Sequence, residues 1–395
     1  MANIIDYIYW RGDLTVSAQF PWNELDNLVM ARLSYLPFER IEMVPGDTIG
    51  SLTKRIVELP KEGYHFREDP KLAEALLESR RYRDYEVSDF VCRREEIIEE
   101  QFSAITVHLP NREMFLSFRG TDATLVGWKE DFNMAFQTHI PAQIAARTYL
   151  NEIAEKYPHE MIRMGGHSKG GNIAMYAAFY ALEAQKIRIL EVDSFDGPGF
   201  MDEIIAENVQ NPVLDRIRLY IPQQSVVGRL LEINVEPVVV QSLESVFHQH
   251  NIYNWQVMKD RFLRTQLGQA GDLIDGAVKE FLENSSPEQR QVFVDGVFEV
   301  LNASNATTLR ELGSGLFRSL PSFVKSYRSI SEEDRKTIMQ MVQLFARSYT
   351  SSIMGRRGEQ LSVEQPAVQA AEQPAGPAVA EQVPVTPTPL LPGEQ

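Results

Sequence analysis

Residues 161–178 read as a short apolar strand, Met161 to Gly165, then a glycine-rich turn, Gly166-His167-Ser168-Lys169-Gly170-Gly171, and then a helix from Asn172 onward. A chain that passes from strand to helix within so few residues needs small side chains on both sides of the bend, and few folds accept that geometry. The neighbouring segments extend the alternation. Ala104 to Leu109 and Glu113 to Phe118 are β-prone runs joined by Pro110-Asn111-Arg112, a hairpin pattern. Ile187 to Val192 and Arg216 to Ile221 are further strands, with a helical stretch, Asn172 to Ala184, ahead of them. Val235 to Val240 carries Pro237 and suits an edge strand. The fold class expected is therefore α/β, a mainly parallel sheet with flanking helices, among them Trp22 to Tyr35 and Pro70 to Ser79 in structural roles.

The 395 residues, 44% of them hydrophobic, suffice to bury a large core. With 39 Lys plus Arg against 55 Asp plus Glu, the formal charge of −16 offers no general attraction to phosphate backbones or anionic lipid, which argues against nucleic-acid binding. A single cysteine, Cys92, excludes disulfide scaffolds and thiolate-rich metal sites, and suits a reducing compartment. Met1 to Asp13 lacks the basic start of an export signal, and no segment has about 18 uncharged apolar residues in a row. The expectation is a soluble, cytoplasmic protein without a transmembrane segment.

Three regions follow from these patterns: a domain over 1–265, a helical C-terminal region over 266–350 and a disordered tail over 351–395. From about Asn254 to Thr350 the pattern is helical throughout, with Ser286-Pro287-Glu288-Gln289 and Ser331-Glu332-Glu333-Asp334 as helix starts. The last 35 residues hold 7 of the 21 prolines and neither an aromatic nor a basic residue, so they cannot offset their ordering entropy by burial. The helices are expected to pack on or beside the first domain; the alternative is a partner or membrane-surface role, with protein partners engaging the helical region or the tail.

The turn at 166–170 also has the pattern G-x-S-x-G between strand and helix, which lifts a serine hydroxyl clear of the backbone above a helix N-terminus. A phosphate cradle is the competing reading, but neither G-x-x-x-x-G-K-[ST] nor G-x-G-x-x-G occurs here. Ser168 is thus a candidate nucleophile, and it needs a base and an orienting acid. In the order serine, acid, histidine, only His248 and His250 of the seven histidines follow it. Asp196, in Ser194-Phe195-Asp196-Gly197-Pro198-Gly199, fits the acid on a loop after a strand; Asp193 and Glu232 are alternatives, as is the absence of any acid. The backbone N–H of Lys169 and the N–H and hydroxyl of Thr121, in Phe118-Arg119-Gly120-Thr121-Asp122, are candidate donors to an oxyanion.

Phe118-Arg119-Gly120-Thr121, Trp128 with Asp131, and Gly166-His167-Ser168-Lys169-Gly170 together resemble the F-R-G-[ST], W-x-x-D and G-H-S-x-G signatures of class 3 lipases, a branch of the α/β-hydrolases. Glu100 to Ala104, Gly127 to Met134, Phe195 to Phe200 and His250 to Trp255 are similar in detail to a bacterial lipase-like branch of unknown function. The resemblance covers about residues 1–265. It implies Ser168 as nucleophile, His250 as base, Thr121 and Lys169 as oxyanion donors, and Asp131 as a support of the Thr121 loop, with no cofactor or metal. Two departures stand out. The position after the penultimate strand that carries the family's aspartate is Gln224 or Ser225 here, so the acid is either moved to Asp196 or lost. Lys169 places a charge beside the nucleophile, and its side chain is expected to point to solvent rather than into an acyl pocket.

The function expected is that of a serine hydrolase cleaving carboxylic esters, lipid acyl esters among them, through an acyl-enzyme. The alternative is a binding or scaffold protein on a hydrolase fold with weak or absent catalysis. Amide or thioester cleavage by the same residues is a third reading.

Overall fold

The computed structural model describes residues 2–62, 64–122, 124–303 and 321–363. Seven strands form one sheet in sequence order: β1 Val87–Glu95, β2 Glu100–Leu109, β3 Glu113–Phe118, β4 Met161–His167, β5 Ile189–Phe195, β6 Ile217–Pro222 and β7 Val238–Val240. The first three are antiparallel, and β3 through β7 run parallel. This is the mainly parallel, helix-flanked sheet expected of an α/β-hydrolase. Pro237 lies next to the short edge strand β7, where a missing N–H costs no ladder bond.

Alternation along the strands sends side chains to two helical layers. On one face Ile105, Val107 and Phe115 join helices α1 Ile4–Arg11, α2 Glu24–Leu33, α3 Ile49–Val57 and α4 Asp69–Glu78 in a buried core. On the other, Ala104, Met114 and Leu116 pack with α6 Pro141–Lys156, α7 Lys169–Phe179 and α9 Asp202–Asn208. Helices α5 Leu125–Asn133 and α8 Glu183–Lys186 lie in the connections. Charges inside the N-terminal layer are paired: Arg32 with Asp69 at 2.6 Å and Arg81 with Asp26 at 2.5 Å, all with fully buried side chains.

The segment from Asn254 is not helical from its start. A two-stranded antiparallel ribbon, β8 Val257–Met258 and β9 Arg261–Phe262, comes first and puts Val257 and Phe262 into the core. Phe262 packs edge-on against Trp255 at 5.8 Å, so aromatic burial, rather than the helical pattern of the residues that follow, sets the form of this stretch. Helices follow: α10 Gln269–Glu283, α11 Pro287–Asn302, α12 over residues 321–329 and α13 Glu332–Val363. Ser286 and Gln289 form the expected capping box, and Ser331 Oγ accepts from Asp334 N at 3.0 Å. Helix α13 extends through residues 351–363, part of the tail expected from the sequence; the segment Ser351 to Val363 contains no proline to stop a helix. The rest of that tail, 364–395, lies outside the described residues. No described helix is long and apolar enough to cross a membrane.

Close backbone approach at the end of the sheet rests on glycine. A Cβ on Gly170 would stand 2.3 Å from the Phe118 carbonyl oxygen and 2.9 Å from the Gly120 nitrogen, both main-chain atoms. Gly170→Ala is expected to lose at least about 1–3 kcal/mol, read as a lower midpoint in urea unfolding; an unchanged midpoint would contradict this packing.

Candidate active site

The parallel strands end level with one another: Phe118 is opposite Gly166, His167 opposite Phe195, Phe195 opposite Tyr220, and Pro222 opposite Val240. Each strand therefore releases its loop at the same edge, where sites of open α/β sheets form. Ser168 caps α7 with φ 59° and ψ −134°, a strained conformation for a residue with a Cβ and one that costs about 1–3 kcal/mol. Two bonds hold it: Ser168 N–H donates to the Phe195 carbonyl at 2.9 Å, and Gly171 N–H donates to the Ser168 carbonyl at 2.9 Å. Ser168 is partly exposed, and its hydroxyl makes no hydrogen bond among the described residues.

Asp196 begins the loop after β5, also at positive φ, 52°. Its carboxylate is buried, and Oδ2 accepts from His250 Nδ1 at 2.7 Å. The other oxygen, Oδ1, accepts from Ser225 Oγ and from Gly228 N–H at 3.1 Å. Ser225, in the turn after β6, thus binds the carboxylate that stands at the end of the preceding strand. With Nδ1 on Asp196, Nε2 of His250 is the nitrogen left for a proton to be taken up. The His250 loop is tied down by Trp255, whose indole N–H donates to the Gln249 carbonyl at 2.7 Å.

Across the elbow, Gly120 packs so closely that a Cβ there would lie 3.2 Å from Ser168 Cβ. Neither Thr121 N–H nor Lys169 N–H donates to an acceptor among the described residues. The first-turn N–H of a helix has no partner within it, which leaves that of Lys169 available to a ligand. Thr121 Oγ1 donates to Asp131 Oδ2. Burial pushes the Asp131 carboxyl up to about 6, against the lowering effects of the Lys169 cation and the Thr121 hydroxyl.

Lys169 does not face solvent. Its side chain is fully buried, with Nζ donating to the Gln101 carbonyl at 3.0 Å, to Gln101 Oε1 at 2.9 Å and to Glu130 Oε2 at 2.6 Å. The exposed position expected for the cation is corrected by an acceptor set that sequence reading left unassigned: Gln101 at the start of β2 and Glu130 beside Asp131. A lysine goes under cover only when its charge is matched in this way.

A second cluster joins the three loops. Tyr35, two residues past α2, accepts Gly120 N–H at 3.0 Å and reaches the His167 carbonyl at 3.0 Å and Nδ1 at 3.2 Å. His167 Nε2 lies 2.8 Å from the His250 carbonyl, and burial holds its imidazole well below 6.5. His167 is therefore neutral, with its proton on Nε2 facing that carbonyl, an assignment made from the bonding pattern. Tyr35 is a hub that sequence alone offers no signal for; the histidine of G-H-S-x-G was the visible half of it. The remaining candidates fall elsewhere: His248 is exposed, Glu232 is exposed and pairs with Lys279 at 3.8 Å, and Asp193 is buried in β5 with its carboxyl well above the usual range through desolvation. Among the described residues no His, Cys, Asp and Glu cluster could hold a metal ion.

Residues 76–299, more than half of the chain, match the Mbeg1-like family, and the chain belongs to that family. No curated protein matches the sequence. Among the solved structures that are similar in part are the following three. A fungal lipase bound to an inhibitor is 12% identical, over 55% of this chain and 78% of its own, with a TM-score of 0.36. The Rhizomucor miehei lipase in complex with its propeptide is 15% identical, over 57% and 70%, with a TM-score of 0.34. The Lip2 lipase of Yarrowia lipolytica is 13% identical, over 62% and 83%, with a TM-score of 0.33.

The raised Asp131 carboxyl has a measurable consequence. A group that binds its proton more tightly folded than unfolded costs stability as pH rises from its ordinary 3.8 to about 6. Relative to Asp131→Asn, the wild type should lose on the order of 2–3 kcal/mol between pH 4 and pH 7. Urea unfolding of both proteins at several pH values measures it; parallel curves would show that the shift is absent.

Proposed function

We propose that this member of the Mbeg1-like family is a serine hydrolase of carboxylic esters, lipid acyl esters among them. The observation that carries the reading is the 2.7 Å contact between His250 Nδ1 and the buried Asp196 carboxylate, beside a serine held at positive φ on the strand-to-helix turn. In this reading Ser168 Oγ attacks the ester carbonyl carbon as His250 Nε2 takes its proton, and Asp196 stabilises the imidazolium that forms. The oxyanion is met by the N–H of Thr121, from the loop after β3, and by that of Lys169 at the positive end of α7. Collapse expels the alcohol, which receives the proton from His250. Water, deprotonated by the same imidazole, then attacks the acyl-enzyme and releases the acid, and Ser168 recovers its proton.

The scaffold alternative rests on the uncertain acid together with the surface that the helical region and tail add for partners; the Asp196 contact with His250 speaks against the first of these and leaves the second as it was. Amide or thioester cleavage would use the same groups, and no feature of the site favours it over ester cleavage.

A fluorophosphonate probe is expected to label Ser168 in the full chain, and Ser168→Ala should lose both labelling and cleavage of a short p-nitrophenyl ester. Peptide mapping that finds the label on another residue, or undiminished turnover in the variant, rejects the assignment. Asp196→Asn is expected to lower kcat by about 10³–10⁴-fold, because the imidazole loses the partner that sets its tautomer. A kcat within a few-fold of wild type would remove Asp196 from the reaction.

A further inference from the structure

We infer that the Lys169 side chain, with Glu130 and Gln101, is a positioning device that holds Thr121 in register with the Lys169 N–H so that both donors meet one oxyanion. The inference rests on the ester-hydrolase reading and deepens it. Its starting point is that one residue contributes a backbone donor on one side of the cleft while its side chain is anchored to the opposite side.

Two connected routes run from Lys169 Nζ to Thr121. The first passes through α5: Nζ donates to Glu130 Oε2 at 2.6 Å, and the next residue, Asp131, accepts the Thr121 hydroxyl. The buried Asp131 Oδ1, which has no hydrogen bond among the described residues, lies 4.0 Å from the same ammonium. The second passes through β2: Nζ donates to Gln101 Oε1 at 2.9 Å, and that oxygen also accepts Asp122 N–H at 3.3 Å, one residue beyond Thr121. Glu130 is itself fixed, with Oε2 accepting Gln101 N–H at 3.1 Å and Oε1 accepting Ala142 N–H at 2.8 Å. Gly127 closes the set, since a Cβ there would lie 3.1 Å from Thr121 Cγ2 and 3.2 Å from Gln101 Oε1.

An apolar side chain would fill the same volume without the desolvation cost of a buried ion pair. What the charged version adds is direction: an ammonium demands its acceptors at fixed distances, so the turn carrying one donor and the loop carrying the other cannot drift apart. Transition-state charge is sensitive to such drift, and a misplacement of about 1 Å can cost about 10²-fold in rate.

The test uses the full chain and a p-nitrophenyl ester, with fluorophosphonate labelling as a check on Ser168. Removing one charge alone would strand the other, so the variant is the double Lys169→Met with Glu130→Gln, which removes both charges while the amide oxygen still accepts one of the two main-chain N–H groups that Glu130 holds. Its kcat should fall by about 10–10²-fold with KM changed less than threefold, because the interaction operates in the transition state. Gln101→Met, which leaves the ion pair intact and cuts only the route through β2, should lower kcat by about tenfold on the same reasoning. If a folded double variant, or Gln101→Met should the double variant fail to fold, turns over at the wild-type rate, Lys169 serves stability alone and the inference fails. Absence of labelling at Ser168 in the wild type would instead reject the hydrolase reading on which it stands.

Discussion

Three main-chain segments meet without side chains between them at the end of the parallel sheet, and the site depends on that contact. Gly166 and Gly170 bracket the bend at Ser168, and a Cβ on either would reach the Phe118 carbonyl oxygen within 2.5 Å. Gly197 lies against the same turn, where a Cβ would come within 2.7 Å of the Ser168 carbonyl oxygen. The loop after β3, the bend after β4 and the loop after β5 are thereby brought to van der Waals contact. Strain at Ser168 and Asp196, both at positive φ, persists because the surrounding bonds fix it.

Much of this was legible in the sequence. The glycines around Ser168 mark the bend, and the runs at 104–109, 113–118 and 161–165 fall inside the strands they predict. Strand β1 went unread because Asp89 takes positive φ at a register shift and the rest of the strand, with Arg93, Arg94 and Glu95, alternates poorly. The ribbon at 257–262 lies just ahead of the apolar positions Leu273 to Leu282 whose spacing is helical, and burial of Trp255 and Phe262, not that spacing, decides its form.

Side-chain roles were less legible than backbone ones. Asp196 is one of several acids by spacing; its contacts with His250, and with Ser225 and Gly228 from the turn after the next strand, join residues that no local pattern links. Tyr35 and Gln101 lie 133 and 67 positions before Ser168, and no local pattern links such residues. Lys169 misled for a physical reason: a charged residue is assigned to solvent by default, and its matching carboxylate, Glu130, is distant in sequence. The same holds for Arg32 and Asp69, whose buried pair sits under the Tyr35 ring with the guanidinium carbon 3.9 Å from its centroid.

Helix α5 connects these observations to the C-terminal helices. Its inner side carries Glu130 and Asp131, while its outer side meets α11: Leu125 packs with Val294 and Phe298, and Lys129 pairs with Asp295 at 2.8 Å and with Glu99 at 2.6 Å. Phe132 and Phe298 rings lie 5.9 Å apart. A nine-residue helix held only by its own hydrogen bonds is marginal in water, so its position must come from the contacts on either side. Helix α11 therefore does for the outside of α5 what Lys169 does for the inside, and the Mbeg1-like match, which runs to residue 299, takes in most of that helix. The helical region is in this respect part of the wall behind Thr121, joined to it through apolar contacts that a boundary drawn at residue 265 would sever.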